Sequence, residues 1–119
     1  MNLFEGELTA GFNCLALAVA GFEQPVPLPF GTNLPNVSSA ALAVRPEKLV
    51  LYHHRPAGFA IGATVSSIGY QGGGSIVHLA MGRKRALKAY LPSASAARFG
   101  RGMAVWASWT PDDGVVLTQ

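Results

Sequence analysis

Apolar residues along this chain come in short runs, and glycine, proline or a knot of charge ends each one. The runs predict strands at residues 3–9, 12–19, 26–30, 40–45, 49–52, 59–70, 75–81, 84–91, 103–109 and 115–118. Alternation is clearest in 75–81, where Val77, Leu79 and Met81 fall on one face and Ile76, His78 and Ala80 on the other, because successive strand side chains point to opposite sides. In 84–91, Lys84, Ala86, Lys88 and Tyr90 share a face opposite Leu87, Ala89 and Leu91. In 59–70 the alternation of Ile61, Ala63 and Val65 slips by one residue at Ser66–Ser67 before Ile68 and Tyr70. That slip predicts a β-bulge. Gly72-Gly73-Gly74 predicts a hairpin, because glycine accepts the positive φ angles of tight turns. Only "SASAARFG" reads as helical, with Ser93 or Ser95 as its cap and Gly100 as its end, for one or two turns at most. Many short strands with turn signals between them predict an all-β barrel or sandwich.

The stretch "LAVRPEKLVL", residues 42–51, breaks the strand rhythm most sharply. Pro46 has no N–H for a sheet ladder and biases Arg45 toward extended backbone. The knot therefore reads as a corner between two strands, with Arg45 and Glu47 expected to tie the strand ends together by charge or hydrogen bonds. A similar knot stands in "SWTPDDGVVL". Pro111, Asp112 and Asp113 fall on Pro46, Glu47 and Lys48, and Val116-Leu117 on Val50-Leu51, with Gly114 as one extra residue. Upstream, "FEGEL" matches "AIGATV" around Gly6 and Gly62. The chain thus reads as two related halves, about 2–52 and 59–118, joined by the linker 53–58, "HHRPAG". A feature that recurs with changed charges is a structural corner before it is a catalytic device, and a turn role suits Asp112-Asp113 ahead of Gly114.

The length of 119 residues fits one domain with a core that needs neither metal nor disulfide. Half of the residues are apolar and only 13% are charged, against about a quarter in an average soluble domain. Much buried surface, or a partner that covers some of it, is the expectation. No apolar run approaches the ~20 residues of a membrane span, and residues 1–22 lack the basic start of a secretory leader. The single cysteine, Cys14, has no partner for an internal disulfide and is expected to be a small buried side chain. The net charge of +3 is uneven. Residues 1–57 carry Arg45, Lys48 and Arg55 against four glutamates. Residues 58–119 carry six Lys and Arg against Asp112 and Asp113.

The sequence carries little that could serve catalysis. No glycine-rich loop is followed by Lys and Ser/Thr, so ATP binding by this chain is not expected. His53 and His54 are neighbours that would point to opposite faces of a strand, and His78 is a lone strand-face histidine. Nothing assembles a nucleophile, a base and an oxyanion hole. No cofactor or metal is expected in this chain, and no enzyme activity. The strip of Lys84, Lys88 and Tyr90 resembles the cation-plus-aromatic strips of oligonucleotide-binding barrels, but one tyrosine and a small net charge make a nucleic-acid partner the weakest reading. Ser66, Ser67, Gly73, Lys84, Lys88 and Trp106 are the candidate ligand or interface positions. Trp106 faces away from Val105, Ala107 and Trp109 on its strand, so the two tryptophans cannot fill one core.

"MNLFEGEL", "LAVRPEKLVL" and "ARFGRGMAVWASWTPDDGVVL" resemble the C-terminal TOBE (transport-associated oligonucleotide-binding-like) region of ABC importer ATPase subunits, and most of all the spermidine/putrescine-type group. The motifs that carry this are Met1, Asn2, Phe4 and Gly6 at the start, Val44 to Glu47, and Trp106 to Asp113. The resemblance spans the whole chain and implies an OB-like, MOP-like β-barrel built from two related halves. It implies a non-catalytic accessory and dimerisation domain whose ATPase domain, using ATP and magnesium, is missing here. The implied partners are a second copy, the ATPase domain of the same polypeptide and membrane permease subunits, at the cytoplasmic face of the membrane. Related stand-alone molybdate-binding domains carry a Ser-Ala-Arg-Asn-type motif early in each repeat, and neither half has it. A small-ligand sensor, for an oxyanion or a polyamine, is the alternative.

Overall fold

A computed structural model describes residues 1–10, 15–82 and 85–118. The expectations for Cys14 and Lys84 lie outside the described residues. The strands are β1 (Asn2–Ala10), β2 (Leu15–Ala18), β3 (Val26–Pro27), β4 (Ser39–Val44), β5 (Val50–Tyr52), β6 (Ile61–Gln71), β7 (Gly74–Met81), β8 (Arg85–Pro92), β9 (Ala104–Ser108) and β10 (Val115–Leu117). Two short 3-10 turns, Pro46–Lys48 and Pro111–Asp113, and one helix, α1 (Ser93–Ala96), complete the described elements. The all-β, OB-like expectation with one short helix is met. Most predicted strand ends fall within a residue or two of the observed ones. The predicted strand 26–30 is the shortest survivor. Only Val26–Pro27 is assigned as strand, at a sheet edge; Pro25, Pro27 and Pro29 remove every second N–H on its open side, where proline is tolerated, while the Leu28 N–H still donates to the Leu15 carbonyl at 3.0 Å.

Two five-stranded antiparallel sheets result, in the orders β10-β4-β1-β2-β3 and β5-β9-β6-β7-β8. Read in pairs, β10 corresponds to β5, β4 to β9, β1 to β6, β2 to β7 and β3 to β8. Each half supplies four strands to one sheet and its fifth strand to the other. The chain accordingly divides into a first unit, Met1–Val44 with Thr110–Gln119, and a second, Arg45–Trp109. The boundaries between the units lie at the two corners, and residues 53–58, which join β5 to β6, lie within the second unit.

The corners answer to the same geometry. Arg45 and Thr110 are extended, at φ −68°, ψ 144° and φ −73°, ψ 126°. The N–H of Lys48 donates to the Arg45 carbonyl at 3.0 Å and that of Leu49 to Pro46 at 3.3 Å. The N–H of Asp113 donates to Thr110 at 2.9 Å and that of Gly114 to Pro111 at 3.1 Å. Proline suits the first turn position, where its missing N–H has no partner to lose. Gly114 is therefore not an extra residue: it stands where Leu49 stands, and β10 follows it as β5 follows Leu49. The Gly6–Gly62 match is also one residue out of register. Phe4 pairs with Leu42 and Ile61 with Ala107, each partner four residues before its corner proline, so Gly6 corresponds to Ala63. The Arg45 side chain is exposed and makes no capping hydrogen bond. The first corner is closed by its own backbone, contrary to the expected role of Arg45.

In the first unit Phe4, Leu17, Val26, Leu28, Leu42 and Val44 are fully buried. Phe22 meets Phe4 edge-on, with ring centroids 5.7 Å apart. In the second unit the predicted faces hold: Val77 and Leu79 are buried, as are Leu87, Ala89 and Leu91 of β8 and Val105, Ala107 and Trp109. The bulge is where the slip placed it. Val65 pairs with Leu79 and Ser67 with His78, leaving Ser66 extra, and its Oγ donates to the His78 carbonyl at 3.0 Å. The hairpin is tighter than the three glycines suggested: Gln71 pairs with Gly74, so only Gly72 and Gly73 form the turn. α1 starts at Ser93 with Pro92 as its N-cap and Ala97 as its C-cap, so Ser93, Ser95 and Gly100 all miss their expected places.

Candidate functional site

The second unit contains a cleft of about 620 Å³ where the two edges of its sheet approach. β5 supplies one side. Its three residues alternate: Leu51 is buried, while Val50 and Tyr52 face out. β8 supplies the other, with Leu91 buried and Tyr90 facing out. The 3-10 turn Pro46–Lys48 packs against β8, which draws the edges together and brings Glu47 to the rim. The α1 segment closes the end with Ser95, Arg98 and Phe99.

His53 joins these parts. Its ring stacks on Phe99, with centroids 4.6 Å apart and planes 9° from parallel. Its Nε2 lies 2.9 Å from the Arg98 carbonyl oxygen. A carbonyl can only accept, so Nε2 carries the proton. One side chain thus clamps the segment after α1 to the end of β5 and fixes where the Arg98 side chain starts. Tyr90 is also constrained: its ring lies so close across Gly74 that a Cβ there would overlap it. His54 completes the lining on the β5 side. The arrangement offers one guanidinium, one carboxylate, a hydroxyl and aromatic walls over a floor of Leu49, Leu51 and Leu91. It is equipped to hold a small molecule. No three His, Cys, Asp or Glu side chains come together among the described residues.

The predicted site residues scatter. Of the corner residues, only Glu47 reaches the cleft. Pro111, Asp112 and Asp113 sit in the first unit, where Asp112 Oδ1 accepts the N–H of Phe30 at 2.9 Å. That contact reaches across the first unit and lies outside the turn itself. Ser66 and Ser67 are at the bulge, Gly73 at the hairpin tip and Lys88 on the exposed face of β8, beside Tyr90 in the strand's alternation. Trp106 is half-buried, with Gly62 against its ring and the Arg55 guanidinium 5.0 Å above the centroid. Trp109 is buried edge-on to Phe59 at 5.3 Å. The sequence reading missed Tyr52, Tyr90, Ser95, Arg98 and Phe99 as a group. The one available signal was the His53-His54 pair just after the first repeat's end, which spacing alone does not connect to residues 45 positions on.

The sequence model of the TOBE domain family matches residues 42–117, well over half of the chain, including both corners. No curated protein sequence matches the chain. Among solved structures, a crystal structure of the cytoplasmic molybdate-binding protein ModG with molybdate bound is similar at a TM-score of 0.68 and 13% identity, covering 99% of this chain and 96% of that one. At that identity the likeness is one of fold.

Proposed function

The chain belongs to the TOBE domain family, and on that premise we propose that it is a non-catalytic ligand-binding domain that senses a small oxyanion in the cytoplasm. The extent of the likeness to molybdate-bound ModG carries this reading: it covers nearly all of both chains, so it takes in both sheets with their exchanged fifth strands. The surplus of basic residues in positions 58–119 supports it by favouring anions over cations at a distance. The missing Ser-Ala-Arg-Asn-type motif means that the donors must differ from those of the related stand-alone domains. Isothermal titration with molybdate, tungstate, sulfate and phosphate tests the reading. Molybdate or tungstate is expected to bind saturably and to raise the melting temperature. Stabilisation of about 2.7 kcal/mol is due at a hundred-fold excess over Kd. The absence of heat and of any thermal shift with all four anions at millimolar concentration would refute it.

A second reading is favoured by the Val44–Glu47 corner, whose residues resemble the importer group. In it the chain is the accessory tail of an ABC importer ATPase subunit of polyamine type, acting beside a second copy, its own ATPase domain and the permease. Spermidine and putrescine in the same titration test whether such a tail also senses a polyamine, since a polyamine sensor binds them and ignores the anions.

A further inference from the structure

The cleft of the second unit is poorly matched to a tetrahedral oxyanion. Such an ion needs donors closing on it at ~3 Å from several sides. A volume of about 620 Å³ would leave most of that shell to water. The same volume lies within the roughly 300–1,000 Å³ that takes an organic small molecule. The lining agrees. Tyr52 and Tyr90 face out of their strands, and both line the cleft above the buried Leu51 and Leu91. Rings of this kind pair with a planar apolar body in offset or edge-on contact.

Charge narrows the class. Among the described residues the lining holds one permanent cation, Arg98, and one carboxylate, Glu47. These two charges cancel. A dianion gains from Arg98 and is opposed by Glu47. A monoanion with an apolar body pairs its charge with Arg98 and draws the rest of its affinity from burial. The planar guanidinium fork matches a carboxylate in two parallel hydrogen bonds. The clamp made by His53 on the Arg98 carbonyl and the Phe99 ring holds this end in place before a ligand arrives, which lowers the ordering cost of binding.

We propose that this cleft binds an aromatic monocarboxylate, with its ring against Tyr52 and Tyr90 and its carboxylate on Arg98. Glu47 selects against dianions by repulsion. The site is separate from the oxyanion reading and does not depend on it.

Titration of the whole chain with 2-naphthoate, followed by ¹H–¹⁵N spectra and calorimetry, tests this. Saturable shifts confined to residues 47–54 and 90–99 are expected. Arg98→Ala should weaken binding about ten-fold or more, the loss expected for one charge-assisted hydrogen bond. Arg98→Lys, which keeps the charge without the fork, should fall between. Naphthalene-2-methanol and phenyl phosphate should bind at least about ten-fold more weakly than naphthoate, and Glu47→Gln should narrow the gap for phenyl phosphate alone. Shifts that do not saturate, shifts centred elsewhere, equal binding of the uncharged alcohol, or unchanged affinity in Arg98→Ala would each overturn the proposal. So would molybdate moving the same resonances with equal affinity.

Discussion

At single positions, the two repeats differ where one side chain has grown at the expense of another. Leu49 fills its corner as a buried residue, while Gly114 occupies the same place in the second corner. A Cβ on Gly114 would come 2.6 Å from Leu42 Cδ1. Leu42 is fully buried, and φ at Gly114 is −85°, so the backbone would accept alanine and only packing forbids it. Gly114→Ala is expected to cost about 1–3 kcal/mol, as overpacking does, read as a lower midpoint in urea. Gly6→Ala should cost at least as much, because its Cβ would overlap the Ala18 carbonyl, which is backbone on the paired strand. Arg45→Ala, in contrast, should change stability by no more than about 0.5 kcal/mol, the usual range for exposed positions. A drop for Arg45→Ala as large as that for Gly114→Ala would mean that the corner depends on the guanidinium after all.

Among the elements, what could be read beforehand was whatever depends on near neighbours. Alternation exposed the buried faces of β7, β8 and β9, and its slip marked the Ser66 bulge, because both are set by residues two apart. The recurrence of proline and acid located both corners. The register between the repeats was not legible from glycine identity. Gly62 is glycine because Trp106 lies over it, and Gly6 because Ala18 passes close by. These are unrelated demands that happen to fall one residue apart. The cleft was illegible for a stronger reason: its parts lie at 47–54 and 90–99 and meet only when the sheet edges close. One strand pair can be tested directly. Gly74→Ala should displace the Tyr90 ring and press on the Leu91 carbonyl. Faster amide exchange at the Gly74–Pro92 end of the β7–β8 ladder is expected, with the Met81–Arg85 end unchanged. Uniform protection along both strands would show that the ring is not seated on Gly74.

For the molecule as a whole, exposed apolar surface bears on association. Val115 and Leu3, 57% and 46% exposed, flank the buried Ala43 in one row across β10, β4 and β1. Leu117 lies beside this row on β10. Rows of this kind mark contact surfaces when they merge into a patch, and a second copy of the chain is the partner the family resemblance implies. Sedimentation at micromolar concentration should show a dimer, and Leu3→Glu with Leu117→Lys should leave a folded monomer. If the unaltered chain stays monomeric at all concentrations, pairing of this chain is ruled out. Trp106 can contribute only after Arg55 is lifted from its ring.

The exchange of fifth strands also has a consequence for synthesis. The second unit is one uninterrupted segment, Arg45–Trp109, and all of it is made before β10 exists. It can fold while the chain is still growing, as domains commonly do. The first unit cannot be finished then, because β4 waits for residues 115–117, the last described strand to be made. Until they emerge, β4 presents an open edge of the kind that recruits other chains. A ribosome stalled before residues 115–117 emerge would therefore hold a finished second unit and a first unit with an unpaired strand.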